Sequence, residues 1–208
     1  MNDADKAEIA SRYRARLAEH GASSAALATG TPERQEIRFG VLAGVGDLEG
    51  ATVLDLGCGF GEFYQYLLSK GVRVNYTGYD ITPEFIDHAK KRFPEAHFEV
   101  RDVQVDGIAE KFDYVVSSQT FNNRLAHEGN MELMQDVLRI SYEACEKGVS
   151  IDMFTSYVDF REDRLFYYSP EEIFRFSKTL TKRVLLRHDY PLFEFTVYLY
   201  RDFSGWKK

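Results

Sequence analysis

The sequence predicts one α/β domain of three layers: a seven-stranded, mostly parallel sheet between helices, with an antiparallel hairpin at its C-terminal end. Three observations lead there. From residue 52 onward, apolar runs alternate with amphipathic segments, as in parallel strands joined by crossover helices. The last two strand-like runs, 182–190 and 193–201, are separated only by Pro191 and Leu192, too short a link for a crossover helix, so they pair antiparallel. Finally, 208 residues, 44% hydrophobic and 28% charged, suit a single core better than two.

Residues 4–20 carry Ala, Ile, Tyr and Leu at helical spacing, and Gly21 closes that helix. The small residues of 21–30 read as a connector. Thr31, Pro32 and Glu33 open a second helix, with Ile37, Phe39, Val41 and Leu42 as its apolar contacts before Gly44. A strand over 52–57, a helix over 63–71, a strand over 75–81, a helix over 83–93 and a strand over 97–103 follow. Next come a strand over 112–121, a helix over 131–145, a strand over 148–157, a helix over 169–180 and the hairpin. The helix before the hairpin is taken to carry the aromatic group Phe166, Tyr167 and Tyr168, read as core. Residues 1–45 form an N-terminal helical lid and 46–208 the core of a single domain.

A net charge of −7 with dispersed basic residues leaves no positive stripe for a phosphate backbone, so nucleic acid is not an expected partner. The two cysteines, Cys58 and Cys145, form no CxxC or Cys/His cluster, which suits a reducing cytoplasm and gives no metal site. No run of about 18 apolar residues occurs and the first residues lack the apolar centre of a signal peptide, so neither membrane nor export is expected.

The informative segment is Val53-Leu54-Asp55-Leu56-Gly57-Cys58-Gly59-Phe60-Gly61-Glu62-Phe63: a strand, a glycine-rich turn and a helix. In an open α/β sheet, ligands bind at the carboxyl ends of the strands, where this turn lies. Gly57 and Gly59 can take backbone angles closed to other residues and let a ligand approach the main chain. The spacing is GxGxG, not the GxGxxG of the dinucleotide fingerprint, and the acidic flanks Asp55 and Glu62 suit a ligand without phosphates.

These residues resemble the signature loop of the class I, Rossmann-like methyltransferases, and the resemblance runs from about Thr52 to the C-terminal hairpin. It implies S-adenosylmethionine as cofactor and S-adenosylhomocysteine as product. It places Asp55, Gly57, Cys58, Gly59 and Gly61 at the methionine end. Asp80 falls at the ribose hydroxyls with Ile81 against the adenine; Asp102 and Val103 fall at the adenine edge, and Ser118 and Gln119 beside the methyl group. Tyr13, on the lid, is the implied cap over the cofactor. For single residues other readings stand: Asp80 as a helix cap before Thr82 and Pro83, and Asp102 as part of a solvated turn.

Methyl transfer asks mainly for alignment in a site closed to water, with acid or base groups optional. After strand 4 the chain reads SSQTFNNRLAHEG, without the Asn/Asp-Pro-Pro-Tyr/Phe element of methylases of nucleic acid amino groups. Phe121, Asn122, Asn123 and Arg124 border the expected acceptor pocket, Arg124 as a partner for an anion. His127, Gln119 and Arg124 are the candidate catalytic residues, although a loop that merely caps strand 4 explains them equally. Asn122 and Asp152 imitate part of the metal cluster of catechol-type relatives without completing it. The chain is also similar to small bacterial methyltransferases of natural-product and cell-surface pathways, including phosphonate O-methyltransferases. The expected acceptor is therefore a small anionic or hydroxyl-bearing molecule, methylated on oxygen by a monomer or homodimer. Open alternatives are a nicotinamide-dependent dehydrogenase, a non-catalytic S-adenosylmethionine-binding partner protein, and a methyltransferase acting on a macromolecule.

Overall fold

A computed structural model describes residues 1–27, 30–126 and 129–201. The chain opens with α1 (Asp3–His20), capped by Asn2, whose side chain accepts from the Asp5 N–H at 2.8 Å, and stopped by Gly21. A turn of helix, α2 (Ser24–Leu27), interrupts the expected connector; residues 28 and 29 of that connector lie outside the described residues. Thr31 then caps α3 (Pro32–Ala43), with Pro32 in the first turn, where its missing N–H costs nothing.

The alternating half runs β1 (Thr52–Leu56), α4 (Glu62–Ser69), β2 (Asn75–Asp80), α5 (Pro83–Arg92), β3 (His97–Val100), α6 (Val103–Asp106) and β4 (Phe112–Ser117). It continues with α7 (Asn130–Ala144), β5 (Cys145–Phe154), α8 (Pro170–Leu180), β6 (Val184–Arg187) and β7 (Glu194–Tyr200). The seven strands lie in the order β3-β2-β1-β4-β5-β7-β6. Strand β1 pairs parallel with both β2 and β4, and β7 pairs antiparallel with both β5 and β6. The hairpin therefore folds back so that its second strand, not its first, joins the parallel sheet. Successive crossovers step away from β1 to β3 and then restart at β4, so a crevice opens where β1 and β4 part.

Side chains alternate across the sheet and supply two apolar layers. Val115, Val149 and Ile151 pack with Met134, Val137 and Leu138 of α7 and Ile173 of α8, whereas Val53 and Val116 pack with Leu42, Phe63, Leu67 and Ile86 of α3, α4 and α5. Burial of these large side chains, each worth about 1.5–3 kcal/mol, holds the three layers together.

The structure corrects several boundaries. The third strand stops at Val100, because Asp102 accepts from the Gln104 N–H at 3.0 Å and starts the short helix α6. The fourth ends at Ser117, and the fifth leaves α7 directly at Cys145. Phe166, Tyr167 and Tyr168 precede α8 rather than lying on it; Tyr168 is fully buried, and its hydroxyl donates to the Phe121 carbonyl at 2.7 Å. Among the described residues, no helix is long and apolar enough to cross a membrane.

Candidate functional site

The glycine turn after β1 is folded against the end of β2. The N–H groups of Gly57 and Cys58 both donate to the Tyr79 carbonyl, at 2.7 and 3.1 Å, and the Gly59 N–H donates to Asp80 Oδ2 at 3.1 Å. Gly57 has φ +72°, and a Cβ there would lie 2.1 Å from Thr120 Oγ1, so both conformation and space demand glycine. Asp80 Oδ1 accepts from the Thr82 N–H at 2.8 Å. Burial raises the pKa of Asp80 against these hydrogen bonds, and the carboxylate, with about four acceptor positions, keeps acceptor capacity free.

Two more carboxylates stand beside the turn. Asp55, buried at the end of β1, accepts from the Tyr76 hydroxyl at 2.5 Å. Burial first, then the charges of Asp80 and Glu62, push it up to about 7 despite the Tyr76 bond. Glu62 accepts from the Phe60 N–H at 3.0 Å and pairs with Arg92 at 2.8 Å, while burial raises its own pKa. Burial also keeps the Cys58 thiol protonated, well above its ordinary range.

These groups face one cavity at the strand ends, and every residue expected to bind cofactor lines it except Gly61. Asp55, Gly57, Cys58, Gly59, Asp80 and Ile81 come from the first two strand ends; Asp102 and Val103 from the third; Ser118 and Gln119 from the fourth; Tyr13 from α1. Gly61 instead starts α4 at φ +82°, where a Cβ would press on Phe93 at 3.0 Å. Phe121 lines the same cavity, but Asn122 lines a neighbouring one. Arg124 lines neither: it donates to the Asp163 carbonyl at 2.8 Å and lies over the Phe166 ring. His127 lies outside the described residues.

The end of β4 is held from β5. Gln119 has φ +58°, the one positive φ among described non-glycine residues, a conformation costing about 1–2 kcal/mol. Asp152 Oδ1 holds it there, accepting from the Gln119 backbone N–H at 2.8 Å and its Nε2 at 2.7 Å, while Oδ2 accepts from Ser118 Oγ at 2.8 Å. Asn122 Nδ2 donates to Gln119 Oε1 at 3.0 Å, so both ends of that amide are engaged. Burial pushes Asp152 up to about 6, with the Arg38 guanidinium opposing and Glu194 adding to the rise. Arg38 and Glu194 form a buried ion pair, Nε to Oε2 at 2.8 Å.

Helix α1, through Ile9 and Tyr13, and Met1 before it form one wall of the cavity. Lys6 pairs with Asp102, the N-terminal amine donates to Gln104 Oε1 at 2.5 Å, and Arg12 Nη1 donates to Asn123 Oδ1 at 3.0 Å. Tyr13 meets Phe85 edge to face at 5.8 Å. Sequence reasoning missed Thr120, Phe85, Gln104 and the Arg38–Glu194 pair, and it named Asp152 only as half of a metal cluster. None of the missed residues sits in a spacing motif, and a charged residue inside an apolar strand is the signal that could have pointed to Glu194. Among the described residues, no group of three or more His, Cys, Asp or Glu side chains is placed to hold a metal ion.

With this geometry in hand, the comparisons with known proteins agree with one another. A family model described as a methyltransferase domain matches residues 54–149. Rv1506c of Mycobacterium tuberculosis, named as a methyltransferase, is 35% identical over 154 residues, covering 70% of this chain and 90% of its own. The malonyl-[acyl-carrier protein] O-methyltransferase of Acetivibrio thermocellus is 35% identical over 71 residues, 33% of this chain and 25% of its own. Among solved structures, DhpI in complex with S-adenosylhomocysteine aligns with a TM-score of 0.64 at 20% identity, covering 91% of this chain and 93% of that one. The magnesium protoporphyrin IX methyltransferase of Synechocystis PCC 6803, with bound S-adenosylmethionine, aligns at 0.59 and 17% identity, covering 82% of each chain.

Proposed function

The chain belongs to the S-adenosylmethionine-dependent methyltransferases, and on that premise we propose that it methylates an oxygen of a small, soluble acceptor that is anionic or bears a hydroxyl. The observation that carries the reading is the Gly59–Asp80 hydrogen bond, which sets an acidic carboxylate and an open glycine main chain on one cavity. The lining suits this cofactor: among the described residues Asp55, Glu62, Asp80 and Asp102 line the cavity with Arg101 as the one arginine or lysine, and while Arg92 matches Glu62 and Lys6 matches Asp102, no ion pair matches Asp55 or Asp80, a balance that disfavours a pyrophosphate.

When bound, S-adenosylmethionine supplies an electrophilic methyl whose bond to sulfur breaks as an acceptor oxygen lone pair forms the new bond, leaving S-adenosylhomocysteine; an oxyanion acceptor has no proton to lose, and a hydroxyl acceptor gives its proton up to the solvent. In this proposal Gly57 and Gly59 admit the methionine end to the main chain. Asp80 offers its remaining acceptor positions to the ribose hydroxyls, Ile81 packs on the adenine, and Asp102 and Val103 meet its edge. Ser118 and Gln119 border the methyl, and Tyr13 covers the bound cofactor as part of a lid made by α1. Because both ends of the Gln119 amide are engaged, Gln119 orients and does not take a proton. The chain contributes positioning and exclusion of water.

A small acceptor is supported by the net charge of −7, and by the lack of an Asn/Asp-Pro-Pro-Tyr/Phe element after β4. The test is to incubate the full chain with S-adenosylmethionine and a panel of phosphonates, carboxylates, hydroxylated metabolites and amino sugars. Release of S-adenosylhomocysteine with an O-methylated product is expected. Methyl label entering only protein or RNA of a lysate, or only nitrogen, contradicts the reading.

A further inference from the structure

We propose that the acceptor site is a second, arginine-rich cavity beside the first, and that it takes a small organic anion with an apolar body. The proposal deepens the methyltransferase reading and rests on it. The two cavities share Tyr13, Leu27, Gln119 and Asn123, so those residues form the boundary between them. Their electrostatic characters are opposite. The first is walled by carboxylates; among the described residues the second is lined by five arginines (Arg12, Arg16, Arg34, Arg38 and Arg164) and two glutamates, in a protein of net charge −7.

Both glutamates are already matched. Glu194 is paired with Arg38 in the interior, and Glu162 with Arg164 Nε at 2.9 Å. That leaves Arg12, Arg16 and Arg34. Arg12 faces Glu8 only across an exposed i,i+4 pair, a weak partner in water. Arg16 Nε donates to the Ala26 carbonyl at 3.2 Å and its Nη2 to the Ala25 carbonyl at 2.5 Å, bonds that orient the guanidinium without neutralising it. Among the described residues, Arg34 makes no side-chain hydrogen bond or ion pair. Arg16 and Arg34, which no described carboxylate neutralises, and Arg12, matched only by the exposed Glu8, line one cavity and are suited to a carboxylate, phosphonate or phosphate, which planar arginines bind through paired, charge-assisted hydrogen bonds.

Beside the polar Gln119, Asn122 and Asn123, the lining has an apolar part. Phe154, Val158, Phe160 and Phe193 contribute, with Phe160 and Phe193 exposed and meeting edge to face at 6.5 Å. Exposed aromatic rings beside a positive cavity fit an anion that carries an apolar or aromatic body. The boundary at Gln119 and Tyr13 is where such a molecule would present its acceptor atom to the cofactor cavity. Arg124, the anion partner expected from the sequence, is turned away to Asp163, and these arginines of α1 and α3 take its place.

The test uses the full chain saturated with S-adenosylhomocysteine, titrated in a calorimeter with phenylphosphonate, benzoate and neutral benzyl alcohol. Both anions are expected to bind more tightly than benzyl alcohol by about tenfold or more, and the tighter of the two identifies the head group. Arg34→Gln should weaken anion binding by about tenfold while leaving S-adenosylhomocysteine affinity unchanged, and Arg34→Lys should restore part of it. Anions binding no better than benzyl alcohol, or anion affinity unaltered in both Arg34→Gln and Arg16→Gln, overturns the proposal. A chain that fails to bind S-adenosylhomocysteine contradicts the methyltransferase reading instead; the same titrations on the cofactor-free chain then still decide the anion site.

Discussion

The Asp80 carboxylate grips the main chain of the glycine turn, with the Gly59 N–H at 3.1 Å from Oδ2. One residue thus joins the end of β2 to the turn after β1 and also faces the cavity between them. Its second oxygen accepts from the N–H of Thr82, the residue just before α5, so Asp80 braces the approach to that helix without capping it, since Thr82 itself holds the cap position.

Asp80→Ala should weaken S-adenosylhomocysteine binding by about 2–3 kcal/mol, the worth of lost charge-assisted hydrogen bonds together with a loosened turn. Calorimetric titration checks it. Unchanged affinity removes Asp80 from the cofactor site.

Gly57→Ala should cost about 2–4 kcal/mol in stability and abolish cofactor binding, because alanine resists φ +72° and its Cβ would run into Thr120. Urea unfolding measures the first effect and titration the second. Combining it with Thr120→Gly should recover part of the stability loss by relieving the clash, but not the backbone strain.

Asp55 and Asp152 give the cofactor-free protein a pH signature. Both folded pKa values, about 7 and about 6, lie above the ordinary carboxylate value of 3.8, so the folded state holds protons that the unfolded chain releases. Their contribution to stability is fully present below pH 3.8 and is lost as pH rises through 6 to 7. Lowering the pH from 8 to 5.5 should therefore raise the thermal midpoint by more in the wild type than in Asp55→Asn, in scans without cofactor. An equal response in the two proteins would show that Asp55 does not titrate in this range.

Arg38→Met should destabilise the fold by about 3–5 kcal/mol, since it strands Glu194 in the interior and withdraws the positive charge that restrains Asp152. Arg38→Met with Glu194→Met should recover most of that loss. Guanidinium unfolding of the three proteins measures both effects.

The parallel half of the fold was legible because apolar strands and amphipathic helices alternate with distinct periods, and the hairpin because Pro191 and Leu192 leave no room for a crossover. The position of β7 between β5 and β6 was not, since a short hairpin fixes pairing but not which of its strands meets the sheet. Nor was the end of β3, where the Asp102 side chain satisfies a backbone N–H and competes with strand continuation. In the candidate site, the residues of the glycine turn and the strand ends were readable from the family resemblance that the turn carries, and all but Gly61 line one cavity. Arg34 and Arg16 were not, because they come from two helices far from the motif, and nothing local distinguishes them from solvated arginines. Asp152 was noticed only as half of a metal cluster, while the structure has it pinning Gln119.

The central claim is that the cavity at the ends of β1, β2 and β3 binds S-adenosylmethionine rather than a nicotinamide dinucleotide. Titrating the full chain separately with S-adenosylhomocysteine and with NAD tests it directly. One-to-one binding of S-adenosylhomocysteine, lost in Gly57→Ala, with no heat from NAD, is the predicted result. Tight NAD binding without S-adenosylhomocysteine binding would contradict it.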